Sequence, residues 1–241
     1  AIRAFIAQGV DAILLAPLVD SGWEPVLKEA KKAEIPVIMV SRGVEVSDDS
    51  LYVTKIASDF VNEGRAAGKW VVEKTGGKAN VVELVGTPGS DCAKDRKNGF
   101  AEGIADNAGI KIIASQSGDF RRTGGKEVME ALLKKHGKEI NVVYAHNDDM
   151  ALGAIQAIEE AGMKPGVDIH LVSIDGVKAA FEAMVKETLS CSIECPPLHG
   201  PAAFDAVEDT LAGKTLPKHT VIDLQVFEPA QARELIETRP Y

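Results

Sequence analysis

The chain has 241 residues, 45% hydrophobic and 26% charged, which suits two compact lobes better than one small domain. A formal net charge of −9 excludes nucleic acid as a partner, because binding phosphates needs a basic surface. No run approaches the roughly 18 apolar residues of a membrane helix, so no insertion into a bilayer is expected.

The first residues, AIRAFIAQG, have a helical pattern, with Ile2, Phe5 and Ile6 on one face and Gly9 as a stop. No capping residue precedes Ala1, and the expectation is a domain that has lost its beginning. DAILLAP (11–17) reads as a buried strand. Ser21 and Glu24 have capping-box spacing ahead of a helix with Trp23, Val26, Leu27, Ala30 and Ala33 on its apolar stripe. Strands are expected at 36–40 and 51–54. Helices then alternate with strands: helix 60–74, strand 80–85, helix 93–107, strand 110–115, helix 124–136, strand 141–145, helix 149–161, strand 169–174, helix 177–186, strand 190–194. Short apolar strands separated by helices of this length predict α/β lobes with parallel sheets covered on both faces. After Glu194 the run CPPLHGP breaks the array, as at a crossing between lobes, and helix 199–212, strand 220–227 and helix 229–237 follow.

Ligands of open parallel sheets bind outside the carboxyl ends of the strands. The residues at those ends are Ser41-Arg42-Gly43, then Gly-Thr-Pro-Gly-Ser-Asp with Arg96 a turn further on. Next come Ser117 to Phe120, then His146-Asn147-Asp148-Asp149, Asp175-Gly176 and Glu194. Arginine, asparagine and carboxylates beside a flat phenylalanine are groups that hold sugar hydroxyls and cover a C–H face. Each residue also has a plainer role open to it. Asn147, Asp148 and Asp175 sit where helices begin and are candidate N-caps. Arg42 fits a solvated loop, Arg96 an exposed helical ion pair, Phe120 a core position, and Trp23 helix packing.

Five scattered histidines show no ligand spacing, so no metal is expected, and the loop GTPGSD has neither dinucleotide nor P-loop spacing, so no cofactor is expected. No G-x-S-x-G elbow raises a serine nucleophile. Cys92, in a loop near Lys94 and Arg96, lacks a matching base and reads as structural. Cys191 and Cys195, four apart in a strand, lie roughly 13 Å apart at ~3.3 Å per residue, too far for a disulfide. Asp175 and Glu194 have the residue types of an acid–base pair, but a binding site accounts for both without a reaction.

The runs VVELVGTPGSD, CAKDRKNGFAEGI, SQSGDFRRTGGKEVMEAL, VVYAHNDDMALGAIQAIEEAG and VSIDGV carry a resemblance over essentially the whole chain. They resemble the type I periplasmic sugar-binding proteins of the ribose/galactose group, especially the galactofuranose-binding members. YAHNDDMALGA is shared with the effector domains of LacI-type repressors. The resemblance implies two Rossmann-like lobes joined by a three-crossing hinge, with 1–58 plus 195–227 in the N-terminal lobe and 59–194 plus 228–241 in the C-terminal lobe. It implies about sixty residues ahead of Ala1 in family members, leaving the N-terminal lobe incomplete. It also implies ligand contacts at Arg42, Arg96, Phe120, Asn147, Asp175 and Glu194. Ser41 stands where the family has an aspartate beside the arginine.

The function implied is capture of a monosaccharide, a furanose such as galactofuranose or a related pentose or hexose. The sugar would be passed to an ABC permease in the periplasm by a monomeric, non-enzymatic protein. The alternative is the sugar-sensing domain of a LacI-type regulator.

Overall fold

A computed structural model describes residues 1–241. The chain forms two compact units. Unit 1 comprises Ala1–Asp59, Gly89–Asp91 and Pro196–Asp223; unit 2 comprises Phe60–Pro88, Cys92–Cys195 and Leu224–Tyr241. No helix is long and apolar enough to cross a membrane.

Unit 1 is built on a parallel four-stranded sheet in the order β1 (Ile13–Leu15), β2 (Val37–Val40), β3 (Lys55–Ser58), β9 (His219–Ile222). Ile2 of α1 (Ile2–Gln8) and Leu27 and Ala30 of α2 (Glu24–Lys32) bury against Ile13, Leu15, Val37 and Met39 on one face. Ala203 and Ala206 of α8 (Gly200–Leu211) cover Ile38 and Ile56 on the other. Alternation along β2 sends Val37 and Met39 one way and Ile38 the other, as the two-residue period of a strand requires.

Three local expectations change here. The capping box at Ser21 does not form: Trp23 is the N-cap of α2 with no side-chain cap bond, and Glu24 instead binds Lys28 and the Ser47 hydroxyl. The strand expected at 51–54 starts later, at Lys55, because the Asp48 carboxylate accepts from Ser50 N and winds Asp49–Leu51 into a 3₁₀ turn. The strand expected at 220–227 splits into β9 and β10 (Val226–Phe227), and β10 pairs antiparallel with β8 (Cys191–Glu194) in unit 2.

Unit 2 carries six strands in the order β10, β8, β7 (His170–Asp175), β6 (Val142–Ala145), β4 (Ala79–Val85), β5 (Ile110–Ser117), parallel apart from β10. Both faces are covered. Val82, Leu84, Val143, Ala145 and Leu171 face α5 (Arg122–His136), α6 (Asp148–Glu160) and α7 (Lys178–Val185), with Ala232 of α9 (Pro229–Leu235) in the same cluster. Val81, Val142, Tyr144, Val172, Ile174 and Ile193 face α3 (Phe60–Thr75) and α4 (Asp91–Ile104). Tyr144 stacks on Phe100 of α4 with centroids 4.1 Å apart and planes 8° from parallel. A sheet buried on both faces leaves the ends of its strands as the place where polar side chains stay within reach of a ligand.

Candidate functional site

At the carboxyl ends of β4, β6, β7 and β8 unit 2 assembles a polar rim around Arg96. The guanidinium comes from α4, but it is not the exposed helical ion pair that spacing alone allows, since its side chain is only 5% exposed. Nε donates to Glu63 Oε2 at 2.8 Å, Nη1 donates to the carbonyl of His146 at 2.6 Å, and Nη2 lies 3.6 Å from Asp175 Oδ1. The rings of Phe60 and Phe120 stand 5.4 and 5.9 Å from its central carbon. Burial works against the charge of Arg96, but the nearby carboxylates of Glu63 and Asp175 outweigh it and hold the group protonated.

Asp175 ends β7 with φ of 133°, and its side chain stays 29% exposed, so this carboxyl is the accessible member of the Arg96 pair. Burial pushes its acidity weaker than that of an ordinary aspartate; Arg96 opposes the shift, and Asp148 and Glu63 add to it. Asp175 caps no helix, because the N-cap of α7 is Val177.

Asp148 anchors the turn that follows Asp175. Wholly buried, it accepts from the hydroxyls of Ser173 and Ser192 on Oδ1 and from the amides of Gly176 and Val177, at 2.7 and 2.9 Å, on Oδ2. Burial raises it to about 6 despite those four hydrogen bonds. Its neighbour Asn147 is the N-cap of α6: Oδ1 accepts from Met150 N at 3.1 Å and Nδ2 donates to the carbonyl of Phe120 at 3.2 Å. Capping and site-building thus fall to the same amide, and Phe120 is fixed by it.

Phe120 has φ of 57° and lies flat on Gly86, where an added Cβ would sit 2.0 Å from its Cζ. Its ring is half-buried and also touches the margin of the α5–α6 core, so the core reading holds in part.

Glu194 lies directly opposite Asp175 in the β7–β8 register. Its Oε1 accepts from Arg239 Nη1 at 2.7 Å and from the Tyr241 hydroxyl at 2.8 Å. Cys92, expected in a loop, is buried in the first turn of α4. Trp23 packs at the unit 1 core with Nε1 donating to the Val19 carbonyl at 2.7 Å, as the packing alternative had it.

Beneath the rim lies a second buried network. Gly86 N donates to His146 Nδ1 at 3.4 Å, which leaves the ring proton on Nε2, 3.2 Å from Glu83 Oε1. Burial holds His146 below its usual range, hence neutral. Burial alone would raise Glu83, but hydrogen bonds from His146, Ser115 and Lys97 bring it to about 2. The carbonyl that receives Arg96 therefore belongs to a residue locked by a permanent carboxylate.

The other two sequence-predicted residues belong to unit 1. Ser41, with φ of 66°, follows β2 and donates its amide to the Ile56 carbonyl at 2.8 Å; Arg42 Nη1 donates to the Leu18 carbonyl at 3.2 Å. Sequence reasoning missed Glu63, Arg239 and Tyr241. Glu63 and Arg239 sit on or beyond helices with no motif, and only pairing in space singles them out.

This parallel architecture with its rim is that of a periplasmic binding protein domain: the model of that family matches residues 1–215, and the chain belongs to the family. Among its relatives is the galactofuranose-binding protein YtfQ of Escherichia coli (strain K12), 52% identical over 243 residues that cover 99% of this chain and 76% of the relative. Among solved structures is the periplasmic binding protein component of the arabinose ABC transporter from Shewanella sp. ANA-3, bound to alpha and beta-L-arabinofuranose. It shares 49% identity at a TM-score of 0.96 and covers 99% of this chain and 80% of that one. A Mycobacterium smegmatis protein in complex with beta-D-fucofuranose shares 47% identity at a TM-score of 0.96, covering 100% and 80%. These likenesses run to binding proteins and do not favour the LacI-type regulator.

Proposed function

We propose that this chain is a solute-binding protein of the periplasm that captures a monosaccharide in its furanose form and hands it unchanged to an ABC permease. The observation that carries the proposal is the unit 2 rim. There a fixed arginine, an accessible aspartate, an asparagine and a flat aromatic ring converge, in a chain 47–52% identical to proteins named for, or bound to, furanoses.

Arg96 presents the N–H groups left over by Glu63 and His146, and Asp175 presents its carboxyl beside them. Together they form a paired donor and acceptor for adjacent hydroxyls. Asn147 retains an N–H beyond its two bonds, Phe120 offers its ring to a C–H face, and Glu194 retains an oxygen. Ser41 and Arg42 are proposed as the polar groups that unit 1, taken by itself, offers to a sugar.

A role in binding without reaction is supported by the commitment of Glu194 Oε1 to Arg239 and Tyr241 and by the likeness to binding proteins. A monomer suffices for this role.

The test is a thermal-shift screen of monosaccharides that populate furanose forms, with NMR of the sugar recovered after long incubation. A ligand that binds only the folded state raises the melting temperature by mass action. The expected result is a selective rise for one or a few sugars, recovered intact. Uniform indifference to every sugar, or conversion of the sugar, would refute the proposal.

A further inference from the structure

Glu194 is one of the proposed contacts, yet half of its carboxylate is committed elsewhere. Arg239 lies past the end of α9, and its guanidinium is 8% exposed. Nη1 donates to Glu194 Oε1 at 2.7 Å, Nε donates to the Gly176 carbonyl at 2.6 Å, and Nη2 donates to the Tyr241 hydroxyl at 2.6 Å. The Tyr241 hydroxyl in turn donates a hydrogen bond to the same Glu194 Oε1 at 2.8 Å.

Aromatic rings box the cation. Phe181, Phe227 and Tyr241 have centroids 4.8, 5.0 and 4.2 Å from its central carbon. Gly176 makes room: with φ of 77°, a Cβ there would meet Arg239 Nη2 at 2.5 Å. One guanidinium therefore braces the residue after Asp175 and the carboxylate paired opposite it.

We infer that Arg239 and Tyr241 are positioning residues that set sugar specificity, by saturating one oxygen of Glu194 and leaving the other as a fixed acceptor for a single sugar hydroxyl. The inference rests on the sugar-binding reading. A carboxylate held by a boxed guanidinium and a phenol donates nothing. It accepts from a hydroxyl and meets a C–H or an O-methyl group with an unanswered lone pair. A site built to bond a hydroxyl rejects analogues lacking it far more strongly than a loose contact does. If Arg239 and Tyr241 are weakened, the carboxylate swings, and discrimination at that one position relaxes while the rest of the rim is untouched.

The experiment uses D-galactose with its 2-, 3-, 5- and 6-deoxy analogues and L-arabinose with its 2-, 3- and 5-deoxy analogues, all still able to close the furanose ring, measured by calorimetry on the parent, Tyr241→Phe and Arg239→Lys. Tyr241→Phe removes one hydroxyl and keeps the ring, so it serves even if the arginine variant folds poorly. In the parent, deoxygenation at one position weakens binding by about a hundredfold, the loss of one hydrogen bond to a charged group. In Tyr241→Phe that ratio drops at least tenfold, with the ratios at the other positions unchanged.

Parallel weakening at every position, or a lower melting temperature with all ratios intact, would show a merely structural role and overturn the inference. Ultraviolet titration, with the Tyr241 signal taken as the difference between the parent and Tyr241→Phe, separates the inference from the reading beneath it. Burial and Glu194 hold the phenol well above its ordinary range, so Glu194→Gln brings it down. If that shift occurs but the parent binds no monosaccharide of the thermal-shift screen, the sugar reading fails and the specificity role falls with it, while the clamp itself is intact.

Discussion

Asp148→Asn gives a pH-dependent signature that can be worked out from the structure. The carboxyl is buried without exposure and is held at about 6 against an ordinary 3.8. An acid whose folded-state value is raised binds its proton more tightly when folded. Its contribution to stability is therefore intact at low pH and is lost as pH rises from the ordinary value through the folded one. The loss is about 3 kcal/mol across that window, at about 1.4 kcal/mol per pH unit.

A carboxamide does not titrate, yet it matches most of the contacts. Its oxygen accepts from Gly176 N and Val177 N in place of Oδ2, and its amide faces the hydroxyls of Ser173 and Ser192, which turn to accept. The variant therefore runs near the parent at about pH 4 and gains on it by up to about 3 kcal/mol at about pH 7.5. At about 2–4 °C per kcal/mol, the difference between the two melting temperatures changes by about 6–12 °C. Melts followed by circular dichroism at both pH values and constant ionic strength measure it. Asp148→Ala is the control. It removes the acceptor of Val177 N, while Gly176 N keeps Ser192 Oγ at 3.1 Å, so even at pH 4 it costs about 1–3 kcal/mol. A melting-temperature difference between Asp148→Asn and the parent that stays constant from pH 4 to pH 7.5 would refute the reasoning.

Further outcomes follow from other contacts. Gly86→Ala drives a Cβ to 2.0 Å from the Phe120 ring; the ring must swing away, and sugar affinity falls at least tenfold by calorimetry while the far-ultraviolet spectrum is unchanged. Asn147→Ala loses the α6 cap and about 1 kcal/mol in a denaturant melt. Asn147→Asp regains the cap but not the bond to the Phe120 carbonyl, so it recovers stability without recovering affinity. Glu63→Gln takes the charge partner from buried Arg96 and lowers the melting temperature. Combined with Arg96→Met, its cost is less than additive by about 1–3 kcal/mol, the coupling a double-mutant cycle reads for residues in contact.

The parallel architecture was legible because buried strands leave continuous apolar runs, as in NVVELV and NVVYA, and intervening helices keep a 3.6-residue stripe. Where polar side chains had captured the backbone, legibility failed. Asp48 wound a 3₁₀ turn ahead of β3, and the segment after β9 broke before Val226 joined β8. The rim was legible as a set, because the strand ends name their own residues, and Arg96, Phe120, Asn147 and Asp175 do meet in unit 2. What holds them was not. Glu63 reaches Arg96 across 33 residues and Arg239 reaches Glu194 across 45, separations that no local spacing encodes. Asp148 was visible as a helix-start residue, but its role as the anchor of the 175–177 turn depends on four donors from three different segments.

The claim that the unit 2 rim binds the sugar is tested most directly by calorimetric titration of the best thermal-shift sugar into the parent and Asp175→Ala. The parent should bind one sugar per chain. Asp175→Ala, truncated at the accessible carboxyl beside Arg96, should lose about a hundredfold or more in affinity, roughly the 3 kcal/mol of a charged hydrogen-bonding group, with its secondary structure intact. Equal affinity in the folded variant and the parent would contradict the account and place the sugar elsewhere.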